Sequence, residues 1–302
     1  MRLIVLGAAA GGGLPQWNCA ATNSASFWAG GSAAMPAASQ SSLAVSVDGE
    51  RWLVLNASPD IRSQIMATPA LQPRVDKGLR NSPIAAVMLT NGDIDHVGGL
   101  LTLRESQPYD LWMTPAISDV LDANPIFEAV NRDIVHRRTV HLEQPIQPIE
   151  GLTVTLFAVP GKVPLYMETG EVATDLIGEQ TVGVALETGR GHAFYIPGCA
   201  SMTPELAKRL HGAALVFFDG TVFYDDEMIR EGVGHKTGQR MGHMAMAGPG
   251  GSMAAFEGLE VGRRVYVHIN NTNPVWRPGT PERAEVEAAG WTIAHDGLEI
   301  LL

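Results

Sequence analysis

Apolar positions along this chain fall into short runs bounded by polar or glycine residues, with few long helical stripes. Leu3–Leu6, Ile84–Leu89, Ala214–Phe218 and Arg264–Ile269 read as buried strands, and Leu152–Val159 alternates with the period of a half-buried one. Ser41–Val47 and Arg51–Asn56 flank Asp48-Gly49, the signature of a hairpin turn. Leu111–Thr114, Thr181–Leu186 and His192–Ile196 add further strands, and Thr292–Leu302 closes the chain as a strand or a pair. Helices are predicted over Pro59–Ala67 (Ser58 as N-cap, Pro59 at the first helical position), Ala116–Asn124, Pro204–Leu210 and Pro281–Ala289, with another starting in Gly99–Glu105. Residues 20–39, rich in Ala, Ser and Gly, read as a long surface loop; 160–180 and Gly232–Gly251 read as loops, the latter with a basic centre. Strand-rich halves with interspersed helices predict an α/β fold, a layered αββα sandwich. With no repeat and no low-complexity linker, residues 1–302 read as a single domain.

Composition narrows the function classes. At 302 residues, 45% hydrophobic and 18% charged, the chain can bury a large core and does not read as disordered. A net charge of −11 repels phosphate backbones and argues against a nucleic-acid partner. Two cysteines, Cys19 and Cys199, exclude a disulfide framework and fit a reducing cytoplasm. The opening MRLIVLGAAAGGG is too short in its apolar part for a signal peptide, and no run is long enough to span a membrane. Gly7, Gly11, Gly12 and Gly13 do not form G-x-G-x-x-G, so a glycine turn is the simpler reading than a dinucleotide site.

Candidate chemistry gathers at strand ends. Asp95-His96 follow Ile84–Leu89, Asp219 follows Ala214–Phe218, and His268 sits in Val265–Ile269. Strand ends on one rim are where α/β folds place sites. One strand histidine is usually a packed, hydrogen-bonded residue; three such strand ends together point to a site.

The order T-x-x-x-x-D-H-x-x-G, FYIPGCA, ALVFFDGTVF, MGH, VYVHINNT resembles the tRNase Z-like branch of the metallo-β-lactamase superfamily. More closely, GGGLPQWNC, QSSLAVS, NASPDIR, TNGDIDH, FDGT, GVGHKTG, MGH and VHINNTNP, spread from Gly11 to Pro274, resemble the pyrroloquinoline quinone (PQQ) biosynthesis protein B family. The resemblance implies a four-layer αββα metallo-β-lactamase-like fold and a role in making PQQ. It leaves two descriptions open. One is a carrier or transport-related protein for PQQ or its precursor. The other is an iron- and O₂-dependent enzyme that hydroxylates the tyrosine ring of a glutamyl-tyrosine precursor. A homodimer is compatible with either.

Departures from the superfamily pattern weigh these readings. Asn91 and Asp93 stand where its first two metal histidines would be, and no histidine lies between His141 and His192. Gly198 or Cys199 occupies the position of its bridging carboxylate. A two-zinc hydrolase is therefore disfavoured, and a zinc-dependent hydrolase is the third reading. What the resemblance preserves is Asp95, His96 and His268, two imidazoles and one carboxylate. Such a set leaves open positions and suits non-haem Fe(II) with O₂, although zinc accepts the same donors. Asp93 could add a fourth oxygen or orient a ligand or water, and Asp219 is a further ligand or acceptor unless it only caps the turn at Gly220. His243 matches a catalytic histidine of the tRNase Z-like relatives and is assigned to proton transfer or substrate binding, since an imidazole as such suits proton transfer near neutral pH. Lys236, Arg240 and Asn270 are assigned to substrate binding, the two cations to carboxylates, against the alternative of a solvated basic loop. The family's W-N-C-x-C-x-x-C reads here with Ala21 and Ser24 in place of two thiolates. Cys19 alone cannot hold a tetrahedral zinc, so no structural zinc is expected.

Overall fold

The computed structural model describes residues 1–170, 172–189 and 191–302; Glu171, inside the 160–180 loop, lies outside the described residues. The first half of the chain builds β1 (Arg2–Gly7), α1 (Thr22–Gly30), β2 (Ser42–Ser46), β3 (Trp52–Leu55), α2 (Ile61–Ala67), β4 (Ile84–Met88), α3 (Ile94–Val97), β5 (Tyr109–Met113), α4 (Pro115–Asp122) and β6 (Val135–Thr139). The second half adds β7 (Ile146–Ile149), β8 (Leu152–Ala158), β9 (Val182–Thr188), β10 (Gly191–Ile196), α5 (Pro204–Leu210) and β11 (Leu215–Asp219). It ends with α6 (Glu227–Arg230), α7 (Gly238–Met241), α8 (Ser252–Ala255), β12 (Arg263–Val267), α9 (Pro281–Ala288), β13 (Trp291–Ile293) and β14 (Glu299–Leu301).

Two seven-stranded mixed sheets face one another, ordered β14-β1-β2-β3-β4-β5-β6 and β13-β12-β11-β10-β9-β8-β7. In the first, β3 to β6 run parallel; in the second, β10 to β13 do. Side-chain alternation along β1 shows how the layers form. Leu3 and Val5 enter the core between the sheets, beside Val184 and Phe217 of the second sheet. Ile4 and Leu6 point the other way, into a second core with Trp52, Val54, Ile61 of α2 and Leu121 of α4. Burying each such aliphatic side chain contributes about 1.5–3 kcal/mol. Leu206 and Leu210 of α5 and Val286 of α9 cover the outer side of the second sheet. The protein is thus the expected layered αββα sandwich. No helix among the described residues is long and apolar enough to cross a membrane.

Helices begin where the sequence places Thr-Pro. Thr114, Thr203 and Thr280 each accept a hydrogen bond from the backbone three residues on, and Pro115, Pro204 and Pro281 open the helices. Several expectations need correction. Residues 20–39 are not all loop: Thr22–Gly30 is helical, held by tertiary contacts that local pattern does not carry, since buried Asn23 donates to Asn271 O (2.7 Å) and Asn273 O (2.9 Å). Ser58 does not cap α2; its hydroxyl donates to Gln64 Oε1, Asp60 holds the cap position, and the helix starts at Ile61 rather than Pro59. In place of a helix from Gly99 there is one α-turn, α3, followed by a 3-10 turn over Gly98–Leu101. β6 and β7 were not foreseen, because β6 is a largely polar edge strand and β7 carries Pro148.

Candidate metal site

The C-terminal ends of β4, β11 and β12 meet at one rim, where the two sheets are laced by backbone hydrogen bonds. Val182 N–H donates to Thr90 O, and Ile269 N–H donates to Ala8 O, each at 2.9 Å. α3 turns immediately after β4 and presents Asp95 and His96. His268 follows β12 with φ of 56°, a left-handed conformation that is unfavourable for a residue with a Cβ. The conformation is imposed from both sides, by Ile269 N–H to Ala8 O and Asn270 N–H to Thr221 O (3.0 Å).

Donor atoms of Asp95, His96 and His268 all lie within 4.8 Å of one another. Asp95 Oδ2 is 3.1 Å from His268 Nε2 and 3.9 Å from His96 Nε2. His96 is held through its other nitrogen, Nδ1, 2.6 Å from Asn91 Oδ1, and its buried Nε2 has no hydrogen-bond partner. A buried polar atom without a partner is unfavourable by about 1–3 kcal/mol. This atom, aimed at a carboxylate and a second imidazole, fits a metal ligand, so the residues present suit a mononuclear cation. Burial pushes the His96 imidazole down to about 4 against the pull of Asp95, which keeps its nitrogen unprotonated at neutral pH. Burial would raise Asp95, but the charges of His96 and His268 and the His268 hydrogen bond outweigh it and hold the carboxyl well below its usual range. For His268, desolvation is outweighed by Asp95, and its pKa rises.

A second donor group, Asp219, His243 and His268, shares His268 with the first. Asp219 is fully buried at the end of β11; its Oδ2 accepts from Cys199 N–H (2.9 Å) and lies 2.7 Å from His243 Nδ1. Its Oδ1 accepts from the Thr221 N–H (3.0 Å) and hydroxyl (2.7 Å). Asp219 therefore both caps the Gly220 turn and pairs with His243. Burial would raise this carboxyl too, but His243, His268 and the Thr221 hydrogen bond keep it low. The His243 ring stacks on His268 at 5.1 Å, with planes 21° apart. Thr221 was not singled out in the sequence, yet its hydroxyl touches Asp219, His243 and His268 together; only its neighbourhood to Asp219 in FDGT could have pointed to it.

Both groups open into a cavity of about 360 Å³ lined also by Asp93, Lys162, Leu165, Met228, Lys236 and Asn270. Asp93 lies on the wall outside both donor groups; burial and then the Asp95 charge raise its pKa, and its Oδ1 accepts from Leu165 N–H (3.3 Å). Asn270 reaches the cavity with Nδ2 donating to Thr272 Oγ1 (2.6 Å). Lys236 lines the cavity with no salt bridge among the described residues. Arg240 is not part of the lining and gives its guanidinium to Glu168 (2.8 and 3.3 Å), whose carboxyl is lowered to about 2 by Arg240 and then Lys162. Lys162, missed in the sequence because it stands alone in the 160–180 loop, also meets Glu168 at 3.0 Å. At the other cysteine position, Ala21 N–H donates to Cys19 Sγ (3.4 Å) and Ser24 Oγ accepts from Gln16 N–H (3.3 Å).

Comparison with known proteins agrees with this fold. Residues 51–269 match the family model described as the beta-lactamase superfamily domain. The chain is 57% identical over 302 residues to the coenzyme PQQ synthesis protein B of Ruegeria pomeroyi, covering 100% of both chains. It is 55% identical over 300 residues to that of Methylorubrum extorquens, covering 99% of each. Among solved structures, Zn(2+)-bound PqqB from Methylobacterium extorquens superposes with a TM-score of 0.97 at 55% identity over 100% of both chains. A diphosphatase of the PhnP family shares the fold at a TM-score of 0.68 and 22% identity, with 99% of this chain and 97% of that one covered.

Proposed function

This chain belongs to the coenzyme PQQ synthesis protein B family of the beta-lactamase superfamily, and from that membership we propose that it hydroxylates the tyrosine ring of a glutamyl-tyrosine precursor of PQQ, using Fe(II) and O₂. The observation that carries the reading is the Asp95–His96–His268 group with the unpartnered His96 Nε2. Two imidazoles and one carboxylate are the donor set of mononuclear non-haem iron oxygenases. Iron bound there would supply O₂ activation; the net change is one oxygen atom inserted into an aryl C–H bond, with the other reduced to water by an external two-electron donor.

The chain's own residues do the rest. Asp95, His96 and His268 would hold the metal and leave positions open toward the cavity. His243, fixed through Nδ1 by Asp219, keeps its other ring nitrogen for proton exchange with a phenol or water at the cavity wall. Lys236, which has no salt bridge among the described residues, supplies a cation that an acidic peptide needs, and Leu165 and Met228 give apolar surface for an aromatic ring.

The test is to load the protein anaerobically with Fe(II), admit O₂ and a reductant, and follow the mass of a glutamyl-tyrosine peptide. A gain of one oxygen atom supports the reading; no gain with iron bound overturns it. The zinc in the Methylobacterium extorquens relative favours a second occupant, since zinc takes the same donors. Ester or phosphodiester turnover restored by Zn(II) and not by Fe(II) would select that reading. Ligand binding unchanged by Asp95→Ala or His268→Ala would select the carrier.

A further inference from the structure

We propose that Asn91 and Thr221 are positioning residues that accept the Nδ1–H of His96 and of His268, so that both Nε2 atoms face Asp95, that of His96 with a free lone pair and that of His268 with a hydrogen that Asp95 accepts and that a bound cation would displace. The inference rests on the metal reading above.

For His96 the argument is one of donors and acceptors. The Asn91 side-chain atom 2.6 Å from His96 Nδ1 also accepts from Asp93 N–H at 2.9 Å. An atom that accepts from a backbone N–H is the amide oxygen, and an amide oxygen only accepts. The hydrogen between Asn91 and His96 therefore belongs to Nδ1, and the buried Nε2 carries the lone pair. The residue standing where the superfamily places a metal histidine has become the anchor of the histidine that remains.

For His268, Thr221 fixes Nδ1 as the anchored nitrogen. A hydroxyl has one hydrogen. Asp219 Oδ1 at 2.7 Å and His268 O at 3.0 Å can only accept it, and neither His268 Nδ1 at 2.8 Å nor His243 Nδ1 at 3.0 Å is needed to do so. His243 Nδ1 has its own acceptor in Asp219 Oδ2. The Thr221 oxygen is thus the acceptor for His268 Nδ1–H, and Nε2 of His268 is the nitrogen aimed at Asp95, to which it donates. Two unrelated side chains, one on the β4–α3 loop and one after β11, fix Nδ1 as the anchored nitrogen and Nε2 as the inward one on two rings.

The experiment reads tautomers and affinity separately. In metal-free, ¹⁵N-histidine-labelled protein, His96 is expected as the Nδ1–H tautomer. Asn91→Leu shifts it toward Nε2–H, and Asn91→Asp, which keeps an oxygen acceptor, restores it. In Zn(II) competition against a chromophoric chelator, N91L and T221V each weaken binding about 10–100-fold, and T221S recovers most of the loss. A wild-type His96 in the Nε2–H form, or N91L and T221V binding zinc as wild type does, overturns the proposal. If N91L does not fold, the wild-type spectrum decides alone. If wild type binds no zinc, the metal reading fails while the tautomer spectrum still decides this inference.

Discussion

His268 gathers the competing demands of the site. It belongs to both donor groups, sits in a left-handed backbone conformation and hydrogen-bonds at both ring nitrogens. We predict that His268→Ala abolishes tight metal binding, whereas His243→Ala leaves affinity within a few-fold of wild type and lowers turnover. Isothermal titration with Zn(II) alongside a turnover assay separates the two roles. Glu227 makes a second residue-scale prediction. It is buried behind cavity-lining Met228, accepts from Phe223 N–H (2.7 Å) and Thr272 Oγ1 (2.5 Å), and burial pushes its carboxyl up to about 7 from 4.5. The folded state holds this proton more tightly than the unfolded state. Its contribution to stability is therefore complete below about pH 4.5 and disappears as pH rises through 7, a change on the order of a few kcal/mol. Glu227→Gln should flatten that slope in urea melts between pH 5 and pH 8; an unchanged slope would assign it to other groups. Asp95, His96, Asp219 and His268 were legible in the sequence because they stand at the ends of apolar strands, and His243 because MGH resembles a stretch of the tRNase Z-like relatives. Asn91 was legible only as a missing histidine, and Thr221 and Lys162 not at all. A hydroxyl, an amide or a lone lysine acquires a role only from what the fold sets beside it.

Elements with their own punctuation were readable: the Thr-Pro helix starts, the Asp48-Gly49 hairpin, the buried strands that end at the rim. α1 and β6 were not, since a small polar helix and a polar edge strand are fixed by tertiary partners rather than by periodicity. The 3-10 turn after α3 shows the opposite case, a short element whose position is set by close backbone approach. A Cβ on Gly99 would meet Ser58 O at 2.1 Å and Ala57 O at 2.8 Å, where Gly99 N–H donates to Ala57 O. Gly99→Ala should therefore destabilise the protein by about 1–3 kcal/mol or more through overpacking and displace the turn that carries Asp95 and His96. Chemical denaturation reads the first effect and zinc affinity the second. A variant as stable as wild type would show that the turn yields without loss.

At the scale of the molecule, one core takes side chains from both sheets, and the site lies on the rim that they share. We propose that the chain is one cooperative unit, which calorimetry would report as a single two-state transition; two resolved transitions would contradict it. Metal at a hundredfold excess over its dissociation constant should raise the unfolding free energy by about 2.7 kcal/mol, because the donors converge only when both sheets are assembled. Acidity of the whole, −11, and Lys236 at the cavity, which has no salt bridge among the described residues, together fit a small acidic ligand better than a polyanion. Metal binding, turnover and ligand stabilisation all depend on a single metal at Asp95, His96 and His268. The most direct measurement is elemental analysis of protein loaded anaerobically with Fe(II), beside the variants D95A, H268A and C19S. One iron per chain, lost in D95A and H268A and kept in C19S, is the predicted result. Two metals per chain, or iron retained by D95A and H268A, would contradict it.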